Sequence, residues 1–179
     1  MNKRTVNNLV LAAMFLAIGM ILPFFTGQIK EIGDSLLPMH LPVLLCGLVC
    51  GWQYGSVVGF VLPLLRSVIF GMPPLYPGAV SMAFELASYG LVIGVIYGLF
   101  QKKTVFSVYA SLLSAMITGR LVRGLVQTIL LGIIGKKYTF AAFWIGGFAD
   151  ALPGILLQLI LIPALMILIN KLQQRKKTL

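Results

Sequence analysis

Long apolar runs separated by short polar breaks organise this chain. Six segments stand out, roughly Val6–Phe25, Pro38–Trp52, Tyr54–Phe70, Ala79–Phe100, Val105–Ile134 and Phe143–Ile169. A helix that crosses a bilayer needs about 20 mainly apolar residues, so the pattern predicts six transmembrane helices. The first break, Gly27 to Leu37, is polar and carries Lys30, Glu31 and Asp34, whereas Trp52-Gln53-Tyr54 is a tight turn. Three prolines stiffen Gly71-Met72-Pro73-Pro74-Leu75-Tyr76-Pro77, which reads either as a lid or rim or as a plain turn between spans. Gln101-Lys102-Lys103 and Gly135 to Tyr138 form the later breaks. Pro42 and Pro63 interrupt the short second and third segments, which predicts irregular helices around a cavity.

Composition fixes the medium. Of 179 residues, 59% are hydrophobic and 10% charged, with a mean hydropathy of +1.00. A soluble globule has about 25% charged residues, so this chain lacks the polar surface to face water. It reads as an all-α integral membrane protein, a single six-span domain over residues 1–179. Little chain is left for a soluble domain, which excludes a built-in ATPase, a nucleotide-binding α/β unit and a DNA-reading module. The net charge of +10 does not point to nucleic acid, because no basic stripe interleaves with aromatic residues.

The basic residues report orientation instead. With an even number of spans, one side holds Lys3, Arg4, Lys102, Lys103, Lys171, Arg175, Lys176 and Lys177, and the other Lys30, Lys136 and Lys137. Basic loops stay in the cytoplasm, so both termini are expected there. Met1-Asn2-Lys3-Arg4 ahead of an apolar run imitates a signal peptide. The run is long enough to span and no small-x-small cleavage site follows, so it reads as a retained first span. Cys46 and Cys50 share a helix face and read as packing residues. With a single histidine in the chain, neither a metal site nor a cofactor is expected.

Ionisable residues at membrane depth carry the candidate chemistry. Arg66, Arg120, Arg123, Glu85, Asp150 and His40 all fall within the predicted spans, and a helical rise of about 1.5 Å per residue puts all six in the outer half. Each costs at least a few kcal/mol there and usually faces a partner or a watery cavity. Structural ion pairs are one reading and an outward-open polar pocket is the other; a pocket walled by pairs satisfies both. Glu85, Asp150 and His40 suit ring nitrogens, amino and hydroxymethyl groups, while the excess of arginine over carboxylate suits an anion. Tyr76, Phe84, Tyr89 and Trp144 are aromatic candidates for stacking on a flat ring. Small residues four apart, Ala13 and Ala17, then Gly51, Gly55 and Gly59, then Gly90, Gly94 and Gly98, let helices approach closely. The glycines read as internal packing, and Ala13 and Ala17 as a face open to an external partner.

Four stretches carry a likeness to a known family. They are Pro38-Met39-His40-Leu41-Pro42-Val43-Leu44-Leu45-Cys46-Gly47, Pro63-Leu64-Leu65-Arg66-Ser67, Gly71-Met72-Pro73-Pro74-Leu75 and Met82-Ala83-Phe84-Glu85-Leu86-Ala87-Ser88-Tyr89-Gly90. Over essentially its whole length the chain resembles the substrate-binding S components of energy-coupling factor (ECF) vitamin transporters. It is most similar to the branch assigned to hydroxymethylpyrimidine or pyridoxine, with the pantothenate branch close behind. The resemblance implies an S-component fold in a bacterial cell membrane. It also implies capture of a vitamin from outside, and partnership with a transmembrane coupling subunit and two ATP-binding subunits that hydrolyse ATP. On that basis His40, Arg66, Tyr76, Phe84, Glu85, Tyr89 and Asp150 are the candidate substrate-binding residues. Ala13 and Ala17 match the alanine motif with which S components dock on the coupling subunit.

Two other classes compete. An intramembrane protease needs a nucleophile with a base or adjacent acids, and His40 lacks a Gly-x-Ser-Gly partner; a lipid phosphatase needs several histidines. A small channel or structural membrane protein would conduct ions or act without a ligand.

Overall fold

The computed structural model describes residues 2–26 and 35–175. The polar stretch with Lys30, Glu31 and Asp34, and Lys176 and Lys177, lie outside the described residues. Within them, helix α1 spans Lys3–Ile21 and runs on into a 3-10 turn at Leu22–Thr26. Helix α2 is His40–Cys50, α3 Trp52–Phe70, α4 Val80–Leu99 and α5 Val105–Ile133. A short helix α6, Phe140–Trp144, leads through a π-helical turn at Ile145–Ala149 to α7, Leu152–Arg175. All six predicted apolar segments are therefore helical.

Among the described residues, five helical stretches are long and apolar enough to cross a membrane, namely Lys3–Phe25, Trp52–Phe70, Leu75–Leu99, Val105–Ile133 and Ile145–Leu172. The second predicted segment differs. Its helix has 11 residues, about 16 Å at the α-helical rise, roughly half the hydrocarbon thickness. It ends at Gly51, whose φ of 96° is a conformation only glycine adopts without strain, and α3 starts at the next residue.

Direct contacts fix how the helices stand. At one end Asn8 Nδ2 of α1 donates to the Cys50 carbonyl at 3.4 Å, and the Gly94 position of α4 lies against the Trp52 backbone. Lys3, Arg4, Lys102, Lys103 and Lys171 gather here, so this is the basic end of the bundle. At the opposite end Arg66 Nη1 of α3 donates to the Met20 carbonyl of α1 at 2.5 Å. There the Tyr76 hydroxyl donates to the Leu130 carbonyl, tying the proline-rich segment to α5.

Helix α4 is central and packs on α2, α3 and α5. The contact is made by absent side chains: a Cβ on Gly90 would come within 2.2 Å of the Gly55 backbone, and one on Gly59 within 2.3 Å of the Leu86 carbonyl oxygen. Gly55, Gly59, Gly90 and Gly94 thus serve internal packing, whereas Gly98 faces open space. Val43, Leu44, Cys46, Leu62, Leu86, Ile93, Leu112 and Ile162 form the buried core, and Cys46 and Cys50 are both free and buried. Large apolar side chains such as Leu125, Ile129, Leu156 and Ile160 point outward, as a bilayer requires. Ala13, Met14, Ala17 and Ile18 form an exposed face on α1.

Candidate functional site

Glu85, one and a half turns into α4, is fully buried and is the centre of a polar cluster. Its carboxylate Oε1 lies 2.9 Å from Arg120 Nη1 and 3.5 Å from His40 Nε2, and its Oε2 lies 3.3 Å from Arg123 Nη1. The Tyr89 hydroxyl, one turn further along α4, donates to Oε1 at 3.3 Å. Side chains from three helices, α2, α4 and α5, converge here. Glu85 and Tyr89 are four apart and share a helix face; Arg120 and Arg123 are three apart and share another. His40 is placed by the start of α2, where the chain turns through Leu37 at φ 51° and His40 N–H bonds the Leu37 carbonyl at 3.1 Å.

Glycine brings the two faces together. A Cβ at Gly119, beside Arg120, would strike the Tyr89 ring at 2.7 Å, and one at Gly124, beside Arg123, would strike Phe143 at 2.5 Å. Against Tyr89 the His40 ring stands edge-on at a centroid distance of 5.3 Å. Tyr138, between α5 and α6, sits within electrostatic reach of Arg123 and Glu85; burial pushes its phenol up, with Arg123 opposing. A phenol so held is a neutral hydrogen-bond donor at the edge of the cluster.

The charge count matters. Two guanidiniums against one carboxylate leave the cluster at +1 with His40 neutral. Proximity does not exhaust its hydrogen bonding: both ring nitrogens of His40 and both terminal nitrogens of Arg120 lack a well-aligned acceptor among the described residues. Gln127 Oε1, one turn beyond Arg123, and Gln158 Nε2 are likewise buried and unbonded. Gln158 lies one turn beyond Gly154 on α7, whose Cβ position abuts the Ser35 and Leu36 carbonyls just ahead of His40. A buried polar group without a partner costs about 1–3 kcal/mol, so a ligand with complementary acceptors and donors gains most here. The Glu85 carboxylate is the counter-charge to two arginines and has the chemistry to accept an N–H or O–H hydrogen bond.

The predicted site residues divide. His40, Glu85 and Tyr89 meet in the cluster. Arg66 does not join them: it caps the C-terminal end of α1 through Met20, and its guanidinium lies 5.1 and 5.3 Å from the ring centres of Phe24 and Phe70. Phe84 faces outward, edge-on to Phe60 at 5.6 Å, because the residue next to Glu85 on a helix points about 100° away. Asp150 is exposed in the turn before α7, and Trp144 is exposed on α6. Tyr76 is half-exposed and engaged with α5. Arg120 and Arg123 were legible as membrane-embedded charges, yet only the fold decides that both serve Glu85. Gln127 and Gln158 were not singled out, although a lone glutamine within Leu156-Leu157-Gln158-Leu159-Ile160 is a signal of the same kind. Tyr138 carried no local signal. No group of three His, Cys, Asp or Glu side chains assembles among the described residues.

A family model described as "ECF transporter, substrate-specific component" matches residues 7–166. No curated protein and no solved structure matches the chain.

Proposed function

Because the chain belongs to the family of substrate-specific components of ECF transporters, a multi-pass membrane subunit that binds substrate for an ECF module, we propose that it captures a water-soluble vitamin or precursor at the Glu85 cluster. The observation that carries this reading is a fully buried, ion-paired carboxylate with further buried polar atoms near it, on His40 and Arg120 and elsewhere on Gln127 and Gln158, that lack a well-aligned hydrogen-bond partner among the described residues. Such a constellation is unfavourable in an apolar bundle unless a ligand completes it. His40, Tyr89, Glu85, Arg120 and Arg123 are the binding residues in this reading, with Tyr138, Gln127 and Gln158 at the margin. The Tyr76 segment forms the rim at the end of the bundle remote from Lys102, Lys103 and Lys171. That basic end then faces the cytoplasm of a bacterial cell, and the site opens outward.

Hydroxymethylpyrimidine or pyridoxine is the favoured substrate, from the sequence resemblance together with a carboxylate suited to ring N–H, amino and hydroxymethyl donors. A second reading, pantothenate, is favoured by the cluster's net positive charge, which a substrate carboxylate would neutralise. Energy comes from partner subunits: a coupling subunit docks on the exposed Ala13 and Ala17 face of α1, and two ATP-binding subunits hydrolyse ATP. The test is purification in mild detergent from rich medium, followed by mass spectrometry of the released small molecule and calorimetric titration with the three candidates. A stoichiometric pyrimidine or pyridoxine supports the favoured reading, and pantothenate the second. Absence of binding across a vitamin panel would overturn both.

A further inference from the structure

We propose that the basic end of the bundle holds a second, separate binding site, for the phosphate of an anionic phospholipid headgroup. An opening of about 350 Å³ lies between the start of α5 and the end of α7, lined by Lys103, Thr104, Val105, Val108, Met166, Ile167, Asn170 and Lys171. That volume lies within the range of small-molecule sites, about 300–1,000 Å³. Its polar half is cationic. Lys103 is held in place: its ammonium donates to the Tyr97 carbonyl and sits 4.3 Å from the centre of the Tyr97 ring. An ammonium has three donors, so two remain for an incoming oxygen. Lys171 stands on the facing helix with Asn170 beside it.

Nothing among the described residues neutralises this pair. Of the two described carboxylates, Glu85 is engaged in its own cluster and Asp150 lies before the far end of α7. The first turn of α5, capped by the Thr104 side chain accepting from Ser107 N–H at 3.4 Å, adds the positive end of a 29-residue helix. The other half of the opening is apolar. Val108 and Met166 are buried in its wall, while Val105 and Ile167 are exposed on the outside of the bundle. A soluble anion has no use for that wall. A phospholipid does: its phosphate meets the lysines and its acyl chains leave across Val105 and Ile167 into the bilayer, the arrangement expected of basic pockets between membrane helices.

The test uses the full chain in detergent, with phosphatidylglycerol or phosphatidylcholine added and retained lipid counted by native mass spectrometry. Phosphatidylglycerol should be retained preferentially. Retention should fall about fivefold for each lysine removed, in Lys171→Gln and further in Lys103→Gln/Lys171→Gln. Lys136→Gln/Lys137→Gln, at the opposite end, should retain lipid as the unmodified chain does. Lys171 makes no internal bond among the described residues, so its single variant keeps the test valid if the double variant folds poorly. Equal retention of both lipids, or undiminished phosphatidylglycerol in Lys171→Gln, overturns the site. Displacement of the lipid by millimolar inorganic phosphate would reassign it to a free phosphate. Unchanged lipid retention with loss of co-purifying subunits would assign the lysines to a protein partner instead.

Discussion

Removing the Glu85 charge should harm this protein more than removing either arginine that faces it. In Glu85→Gln the side chain keeps its shape, but Arg120, 2% exposed, and Arg123, 21% exposed, lose the one carboxylate they share. Breaking a buried ion pair from one side costs about 3–5 kcal/mol, and here two like charges three residues apart are left facing each other. Arg120→Met is milder. It leaves Glu85 with Arg123 at 3.3 Å, so the loss should be about 1–3 kcal/mol, the range for leaving a buried polar group short of a partner. The double variant Glu85→Gln/Arg120→Met removes the most buried guanidinium along with its counter-charge. It should recover about 1–2 kcal/mol relative to Glu85→Gln alone, within the coupling expected of contacting residues. The assay is denaturant unfolding in mixed micelles, followed by tryptophan fluorescence, on the four members of this cycle. Strict additivity would refute the shared-carboxylate geometry, as would a Glu85→Gln protein of unchanged stability.

Other outcomes test other parts of the structure. Arg66→Met should destabilise the bundle by about 2 kcal/mol, since a charged hydrogen bond to the Met20 carbonyl is lost, while substrate affinity stays within about threefold. A tenfold loss of affinity, about 1.4 kcal/mol, at unchanged stability would return Arg66 to the binding site. Ala13→Trp/Ala17→Trp should abolish uptake into cells and spare binding by purified protein, because both positions are exposed on α1; equal loss of both activities would count against docking there. Gly90→Ala should cost about 1–3 kcal/mol by overpacking, since the new methyl meets the Gly55 backbone at 2.2 Å. Gly98→Ala, facing open space, is its control and should be neutral or slightly stabilising in the unfolding assay.

Burial explains why parts of this protein could be read directly and others not. Apolar runs report a medium, and any helix in lipid must satisfy its own backbone, so all six helical segments could be marked from residue order alone. Glu85, His40, Arg120 and Arg123 were conspicuous for the same reason, being expensive wherever an apolar span carries them. Hydropathy does not report length in space: the run Pro38–Trp52 looks like a span, yet its helix stops at Gly51 after 11 residues. Nor does it report azimuth. Arg66 and Arg120 both lie within apolar runs, but packing turns one toward the Met20 carbonyl and the other toward Glu85.

Composition and a 3.6-residue period are thus enough to read off the membrane, the helices, the small-residue contact faces and the costly polar side chains. Packing between distant helices settles which of those side chains share one buried carboxylate, that Phe84 and Asp150 are exposed, and that Lys103 and Lys171 flank one opening. Those facts depend on the rotation and depth of helices distant in the chain. Rotation and depth are set by close contacts such as Gly90 on Gly55, and no local pattern encodes which glycine meets which.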